Sequence, residues 1–247
     1  GALAGLSSAD VAALTSTQVS SLTTAQIAAL TSDQFKGLTT DDMSALTAAQ
    51  VAVISSAQLG ALTTTQVAAI DAADMKSLST DALAGLTNGD MAALTNEQLQ
   101  GMITVQYAAL STAQFSSLTT AQLAALEVAD LKAVSTEALH ALVGSQIAAF
   151  TPTEIASRTP DQLASPSSAQ TTALSTAQAA APPAAEIRAF TTDQIAGLET
   201  ADIAAMSASQ AAAFEAADKA VMSTEQLAAL AATPIVLDLN GDGVHTT

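Results

Sequence analysis

The 247-residue sequence contains no cysteine and no tryptophan, and it has one tyrosine and five phenylalanines. Without cysteine, disulfide bonds and thiolate metal sites are excluded. So few aromatic rings cannot build an aromatic binding face or a conventional aromatic-rich core. The two histidines, His140 and His245, lie far apart in the sequence, which argues against a His-based triad or a zinc site. We therefore predict that the protein is not an enzyme.

Basic residues are also scarce. The sequence has 6 Lys and Arg against 23 Asp and Glu, which gives a net charge of −17. This charge disfavours nucleic acid and anionic membrane surfaces as partners, and it favours a soluble monomer. Thr, Ser, Gln or Asp interrupts every apolar run before it reaches the length of a membrane span. We predict no membrane insertion. A cell-surface partner or self-association remains open.

A unit of eight residues repeats without a slip. Large apolar residues recur from Leu6 to Leu230 at 29 positions, of which only three are something else: Arg158, Pro166 and Pro182. A second row runs from Val11 to Leu227. Its 28 positions have four exceptions: Thr171, Ala179, Ala211 and Lys219. Such a sequence predicts a fold stabilised by stacking of neighbouring repeats, not by one closed core.

The period excludes two simple folds. The apolar rows are alternately five and three residues apart, so they would face opposite sides of a strand. In one continuous helix, eight residues turn through about 800°, and the apolar rows would drift by roughly 80° per repeat. Neither strand nor long helix keeps the apolar residues together.

Short helices that restart in every repeat fit the pattern. In the repeat LTTAQIAA, Thr23 is a helix N-cap and Gln26 completes a capping box, while Leu22 and Ile27 form a hydrophobic staple. All acidic residues except Asp238 and Asp242 lie between the cap and the third helical position, where the helix dipole favours them. The glutamine row could alternatively form a hydrogen-bonded ladder along the repeats, but capping accounts for it without one. We predict some 28 capped helices of about seven residues each.

The remaining rows define the faces of each repeat. The row at Ala13, Ser21 and Ala29 is small and should let neighbouring helices approach closely, whereas the row that contains Lys36 should face water. The predicted fold is an all-α, superhelical α-solenoid with a short non-helical tail. Its handedness and its number of repeats per turn remain open.

Four segments follow from this pattern. Residues 3–157 form a regular solenoid, residues 158–189 keep the spacing but lose apolar residues and could form a bend or a weak joint, and residues 190–230 return to the pattern. Residues 231–247 form a tail that begins with the strand-like run PIVLDL at 234–239.

The tail carries the only motif typical of a metal site. Asp238, Asn240 and Asp242, followed by Gly243, match the start of a calcium loop, in which alternate oxygen side chains converge on the cation. The sequence ends before a glutamate at the twelfth position of such a loop, so the motif is incomplete and we expect the chain to be a fragment. The alternative is a solvated turn without metal.

The tail PIVLDLNGDGV resembles a segment of large, RTX-like, type I secreted bacterial proteins, and the LTTAQIAA octads look like repeat tracts of large bacterial surface proteins. The resemblance implies secretion to the bacterial cell surface, calcium-rich surroundings and a place in an adhesin. Within it, we expect the repeats to act as a non-catalytic spacer or stalk. The alternative is a binding module that uses the superhelix surface for a peptide, a glycan or ice.

Overall fold

The computed structural model describes residues 5–233, and all regular structure in that range is helical. It contains 27 α-helices and one 3-10 helix, one for each octad from Ser7 to Ala232. The predicted all-α solenoid of short helices is thus confirmed. The predicted strand at 234–239 and the rest of the tail lie outside the described residues.

The chain divides into two compact units, Gly1–Ala141 and Leu142–Thr247. The α-helices of the first unit are Ser8–Ala12, Ser16–Ser20, Thr24–Ala29, Ser32–Lys36, Thr40–Ser44, Ala48–Val51, Ser56–Leu59, Thr64–Val67, Thr80–Leu83, Asn88–Ala93, Asn96–Gly101, Thr104–Ala109, Thr112–Ser116, Thr120–Leu123, Val128–Ala133 and Thr136–His140, and its 3-10 helix is Ala72–Ser77.

The helices of the second unit are Gly144–Ile147, Pro152–Ala156, Pro160–Ala164, Ser168–Thr172, Thr176–Ala179, Ala184–Ile187, Thr192–Gly197, Thr200–Ala204, Ala208–Ala211, Ala216–Val221 and Thr224–Ala232. The octad spacing of helices therefore continues through residues 158–189. The bend or weak joint expected there stays a prediction.

Most helices begin with the capping geometry that the sequence predicts. Thr23 is extended, with φ −71° and ψ 157°. Its N–H donates to Gln26 Oε1 at 2.8 Å, and its Oγ1 accepts from the Gln26 N–H at 3.3 Å. A side-chain cap bond is missing at a few starts, where the cap residue is not Ser, Thr or Asp: Ile103, Glu127, Val143, Pro183, Glu199 and Glu215.

The helices are shorter than the predicted seven residues. All except the last contain four to six residues, and Thr224–Ala232 contains nine. In the third repeat, Leu30 (ψ 132°) and Thr31 (ψ 160°) are both extended, so the apolar residue and the cap form the link to the next helix. Two linking residues leave six at most for helix in an octad.

Both apolar rows form the core of each unit. The second row is the more deeply buried, with Val11, Phe35 and Leu59 at 0% exposure. In the first row, Leu38 is 1% and Leu62 7% exposed. At about 1.5–3 kcal/mol for each fully buried large side chain, these two rows supply the main apolar stabilisation.

Successive turns of the solenoid stack with a fixed offset. Ser8–Ala12 packs against Ser32–Lys36, and Thr200–Ala204 packs against Thr224–Ala232, which is in each case the third helix along the chain. Side-chain hydrogen bonds between turns join residues 25 to 31 apart. One superhelical turn therefore takes between three and four repeats.

Small residues allow this close stacking, as the sequence predicts. Gly37, Gly85 and Gly101 all belong to the small row, and a Cβ on any of them would overlap a backbone carbonyl oxygen 29 residues earlier. At Gly101 that oxygen belongs to Ala72, the first residue of the 3-10 helix. Backbone of one turn thus lies directly against backbone of the next.

No helix in the described range is long and apolar enough to cross a lipid bilayer.

We predict that Gly101→Ala destabilises the protein by about 1–3 kcal/mol, because the added methyl group forces two turns apart. Gly89→Ala is the matched control, since the nearest atom to its Cβ would be Thr87 Oγ1 at 3.6 Å. There the better helix propensity of alanine should be neutral or stabilise by up to about 1 kcal/mol. Chemical denaturation followed by circular dichroism measures both, and equal effects would contradict the close approach.

Candidate functional site

The predicted calcium ligands Asp238, Asn240 and Asp242 lie outside the described residues. Within residues 5–233, no three His, Asp or Glu side chains come close enough together to hold a metal ion. His140 is exposed at the end of its helix. In the described part of the molecule, the concentrated polar chemistry lies instead in the buried row of capping-box glutamines.

Gln50 shows the geometry of this row. Its Oε1 accepts the N–H of Thr47 at 2.9 Å, which is the capping-box bond. Its Nε2 donates to the carbonyl oxygens of Leu22 at 2.8 Å and of Val19 at 2.9 Å, which lie in the preceding turn. Gln50 itself is 2% exposed. One side chain therefore caps the N-terminus of its own helix and the C-terminal end of an earlier one.

The same amide bonds recur throughout both units, and we call them the glutamine ladder. Each member donates Nε2 to a carbonyl 28 residues earlier, and most donate to a second one 30 or 31 residues earlier. The members are Gln34, Gln50, Gln58, Gln66, Gln98, Gln106, Gln114 and Gln122 in the first unit, and Gln170, Gln178, Gln194, Gln210 and Gln226 in the second.

The interpretation that capping alone explains the glutamines was therefore incomplete. Glutamate completes a capping box as well as glutamine does, because only an acceptor oxygen is needed. Yet this row holds glutamine far more often than glutamate, which is found only at Glu154 and Glu186. The preference for an amide over a carboxylate was the signal that a donor is required.

At Asp130, where aspartate replaces glutamine, another side chain supplies part of the missing bonds. Asp130 has no N–H to donate to Leu99, and the buried Tyr107 hydroxyl donates to that carbonyl oxygen at 2.8 Å. One carboxylate oxygen of Asp130 accepts from Thr104 Oγ1 at 2.9 Å, as one oxygen of Asp42 accepts from the Ser16 hydroxyl. Burial raises the pKa of Asp130 above its ordinary value, while the Thr104 bond lowers it.

Proline disrupts the ladder differently at Glu186. Pro183 occupies the cap position of this repeat and has no N–H, so the Glu186 carboxylate lacks the donor that it would accept in a capping box. One oxygen of Glu186 is buried without a hydrogen-bond partner. This repeat therefore has neither half of the reciprocal capping bond.

The outer surface offers little distinctive chemistry in either unit. Its exposed row is mostly Ala, Ser or Gly and is interrupted by a few longer side chains: Lys36, Lys76, Gln100, Lys132, His140 and Arg188. A shallow groove between turns of the second unit is lined by Ala169, Thr172, Ala196 and Gly197 among others. Side chains this small give a ligand few groups to recognise.

We predict that Gln58→Glu destabilises the protein by about 1–3 kcal/mol at pH 7, because it removes two buried donors. Gln58 Nε2 donates to Ile27 O at 2.9 Å and to Leu30 O at 2.8 Å. A carboxylate facing these oxygens has its pKa raised in the folded state. The folded protein then binds a proton more readily than the unfolded chain, so the loss should shrink as the pH falls through this raised pKa and should be smallest below about 4.3, the ordinary pKa of Glu in the unfolded chain.

Gln18→Glu is the control for this change. Gln18 is exposed and keeps the capping bond from the Thr15 N–H at 2.8 Å. In urea denaturation this variant should be as stable as the parent at pH 7 and again below about pH 4.3, the ordinary pKa of Glu. If Gln58→Glu were equally harmless, the glutamine ladder would contribute nothing to stability.

The comparison with known families agrees with the repeat that the structure shows. Four segments match the family described as the ALTTAQ repeat: residues 3–40, 35–70, 91–128 and 123–157. Together they cover more than half of the chain. No curated protein matches the sequence. The chain belongs to the ALTTAQ repeat family.

Proposed function

We propose that this chain is a non-catalytic spacer or stalk within a large secreted or surface-attached bacterial protein. The observation that carries the proposal is the glutamine ladder, whose bonds recur within each unit and tie one turn to the preceding one. A repeated tie of this kind transmits load along the repeats and provides no centre for chemistry.

The energetics of the ladder suit a mechanical role. Each hydrogen bond contributes about 0.5–1.5 kcal/mol net to stability. Each glutamine donates up to two of these bonds to the preceding turn. Because a repeat contacts only neighbouring turns, stability is roughly the sum of local terms. Under a pulling force, a solenoid of this type should unfold a few repeats at a time and refold them when the force is released.

Surface charge supports the same role. The net charge of −17 repels other copies and keeps the repeats dispersed. The exposed row varies little from repeat to repeat, whereas a binding solenoid needs a variable surface to specify its ligand. The resemblance of the tail to RTX-like, type I secreted proteins supports the extracellular bacterial location and the adhesin context.

The experiment is optical trapping of the chain held at both ends, beside a variant in which intact octads are placed in a different order. We expect both to extend in small reversible steps, each a small multiple of about 28 Å, the extended length of eight residues. The permuted chain keeps every row and scrambles any unique surface. A single all-or-none unfolding event would contradict a spacer built from local ties.

A glycan and peptide array with the same two chains addresses the competing role. A spacer binds nothing tightly. A submicromolar ligand of the native chain that the permuted chain loses would overturn the proposal in favour of a binding module.

We propose in addition that Asp238, Asn240 and Asp242 bind calcium through their side-chain oxygens. Calorimetric titration should show calcium binding to the native chain and none to Asp242→Asn. Asp33→Asn removes an exposed acid of the repeats and should leave the binding heat unchanged. The absence of heat with the native chain, or equal heat with Asp242→Asn, would refute this site.

A further inference from the structure

Arg158 occupies a position of the repeat that in most octads holds a large apolar residue. It belongs to the first apolar row, whose neighbouring members Phe150 and Leu142 are buried, and it is itself only 3% exposed. Burial lowers its pKa to about 10, against a smaller opposing influence of Glu154, so the guanidinium remains charged at neutral pH. The second unit thus contains a buried cation at its core.

The protein leaves two of the three guanidinium nitrogens of this cation without hydrogen-bond partners. Arg158 Nε and Nη2 are both buried and make no hydrogen bond with any described residue. The guanidinium carbon lies 4.5 Å from the centre of the Phe150 ring, which gives a cation–π contact but accepts no classical hydrogen bond. The carboxylate of Glu154 is engaged by the N–H of Thr151 in the capping box of its helix.

A small cavity of about 20 Å³ adjoins Arg158, and Leu163, Leu174 and Phe190 form part of its apolar wall. Its other polar neighbours are already engaged. Gln194 Nε2 donates to Leu163 O at 2.8 Å, and Thr171 Oγ1 donates to Ser167 O at 3.1 Å. Among the described residues on this wall, the buried donors still unpaired are therefore those of Arg158.

The size and chemistry of the cavity define its occupant. A volume of this size holds one water-sized species, which excludes sulfate, phosphate and organic acids. The wall is almost entirely apolar apart from Arg158, whose buried N–H donors belong to a positively charged group, and leaving such donors without an acceptor is strongly unfavourable. A monatomic anion accepts hydrogen bonds from both donors and also offsets the positive charge. A water molecule accepts the hydrogen bonds but leaves the charge in place.

We propose that the cavity beside Arg158 is a binding site for one small monovalent anion of the halide class, with chloride as the natural occupant. The anion lies against the Nε and Nη2 donors and completes a core position that arginine alone leaves unsatisfied.

The test is thermal unfolding of the full chain, followed by circular dichroism, in sodium chloride and in sodium gluconate at equal ionic strength. Gluconate is too large for the cavity. In chloride at several times the Kd, we expect a rise in Tm of about 2–4 °C over gluconate. Arg158→Leu, which restores the usual residue of this row, should abolish the difference. Equal Tm values for the native chain in the two salts would overturn the proposal.

Arg188→Leu is the matched control, because it removes the same charge from an exposed position 30 residues away. It should keep the full chloride effect. A chloride effect that survives in Arg158→Leu, or that Arg188→Leu also loses, would contradict a site at Arg158.

Chloride-35 NMR provides a measurement that does not depend on the folding of a variant. The native protein should broaden the chloride line, and excess bromide should reverse the broadening by competition, while gluconate should not. A line width that bromide and gluconate affect equally would show that no halide site exists.

Discussion

The glutamine amide that joins two turns is the interaction on which the rest of the fold depends. Helices of four to six residues are too short to satisfy their own backbone, because the first four N–H groups and the last four C=O groups of any helix lack partners within it. Isolated helices of this length are not stable in water. Gln50 satisfies groups at both kinds of helix end. Its oxygen accepts from the Thr47 N–H at the start of its own helix, and its amide donates to the carbonyls of Val19 and Leu22 at the end of an earlier one. Burial of the apolar rows holds the turns together, but the amide determines which backbone groups meet.

This pairing also accounts for the unbroken period of the sequence. The ladder joins residues 28 and 31 apart, so a glutamine reaches the correct carbonyl only if three and a half octads lie between them without insertion. One extra residue would misplace every bond that spans it and would move the small row away from the backbone that it must approach, as at Gly37 and Ser8. Loss of a single amide is less damaging. Alanine at 82 and 138 is fully buried in the same row, where it gives up the polar bonds but creates no unpaired polar side chain.

Much of a single repeat could be predicted from the sequence, whereas the relation between repeats could not. Thr23, Gln26 and the two apolar rows carry local signals for caps and faces, and the structure has them where the sequence places them. The stacking offset depends on how far each short link rotates the chain, which no periodicity within an octad specifies. The role of Tyr107 shows the consequence. Its hydroxyl replaces the donor that Asp130 lacks at the carbonyl of Leu99, and the stacking offset that brings Tyr107 and Asp130 together there cannot be found from either residue alone. The choice of glutamine over glutamate could have revealed the ladder, although not its partners.

A repeat fold of this kind makes departures from the pattern more informative than the pattern. The regular rows satisfy one another: each donor has an acceptor in the neighbouring turn, and each apolar side chain has apolar neighbours. Replacements such as Asp130 keep that balance through Thr104 and Tyr107. Arg158 does not, since it introduces a charge and buried donors into an apolar row, where the face of Phe150 and the charge of Glu154 lie nearby but Nε and Nη2 find no hydrogen-bond acceptor. A chain that acts as a spacer needs no such residue, because leucine at this position would fill the core at lower electrostatic cost. The unsatisfied guanidinium is therefore best explained by a partner outside the polypeptide, since the size of the cavity limits that partner to one small species and the positive charge favours an anion.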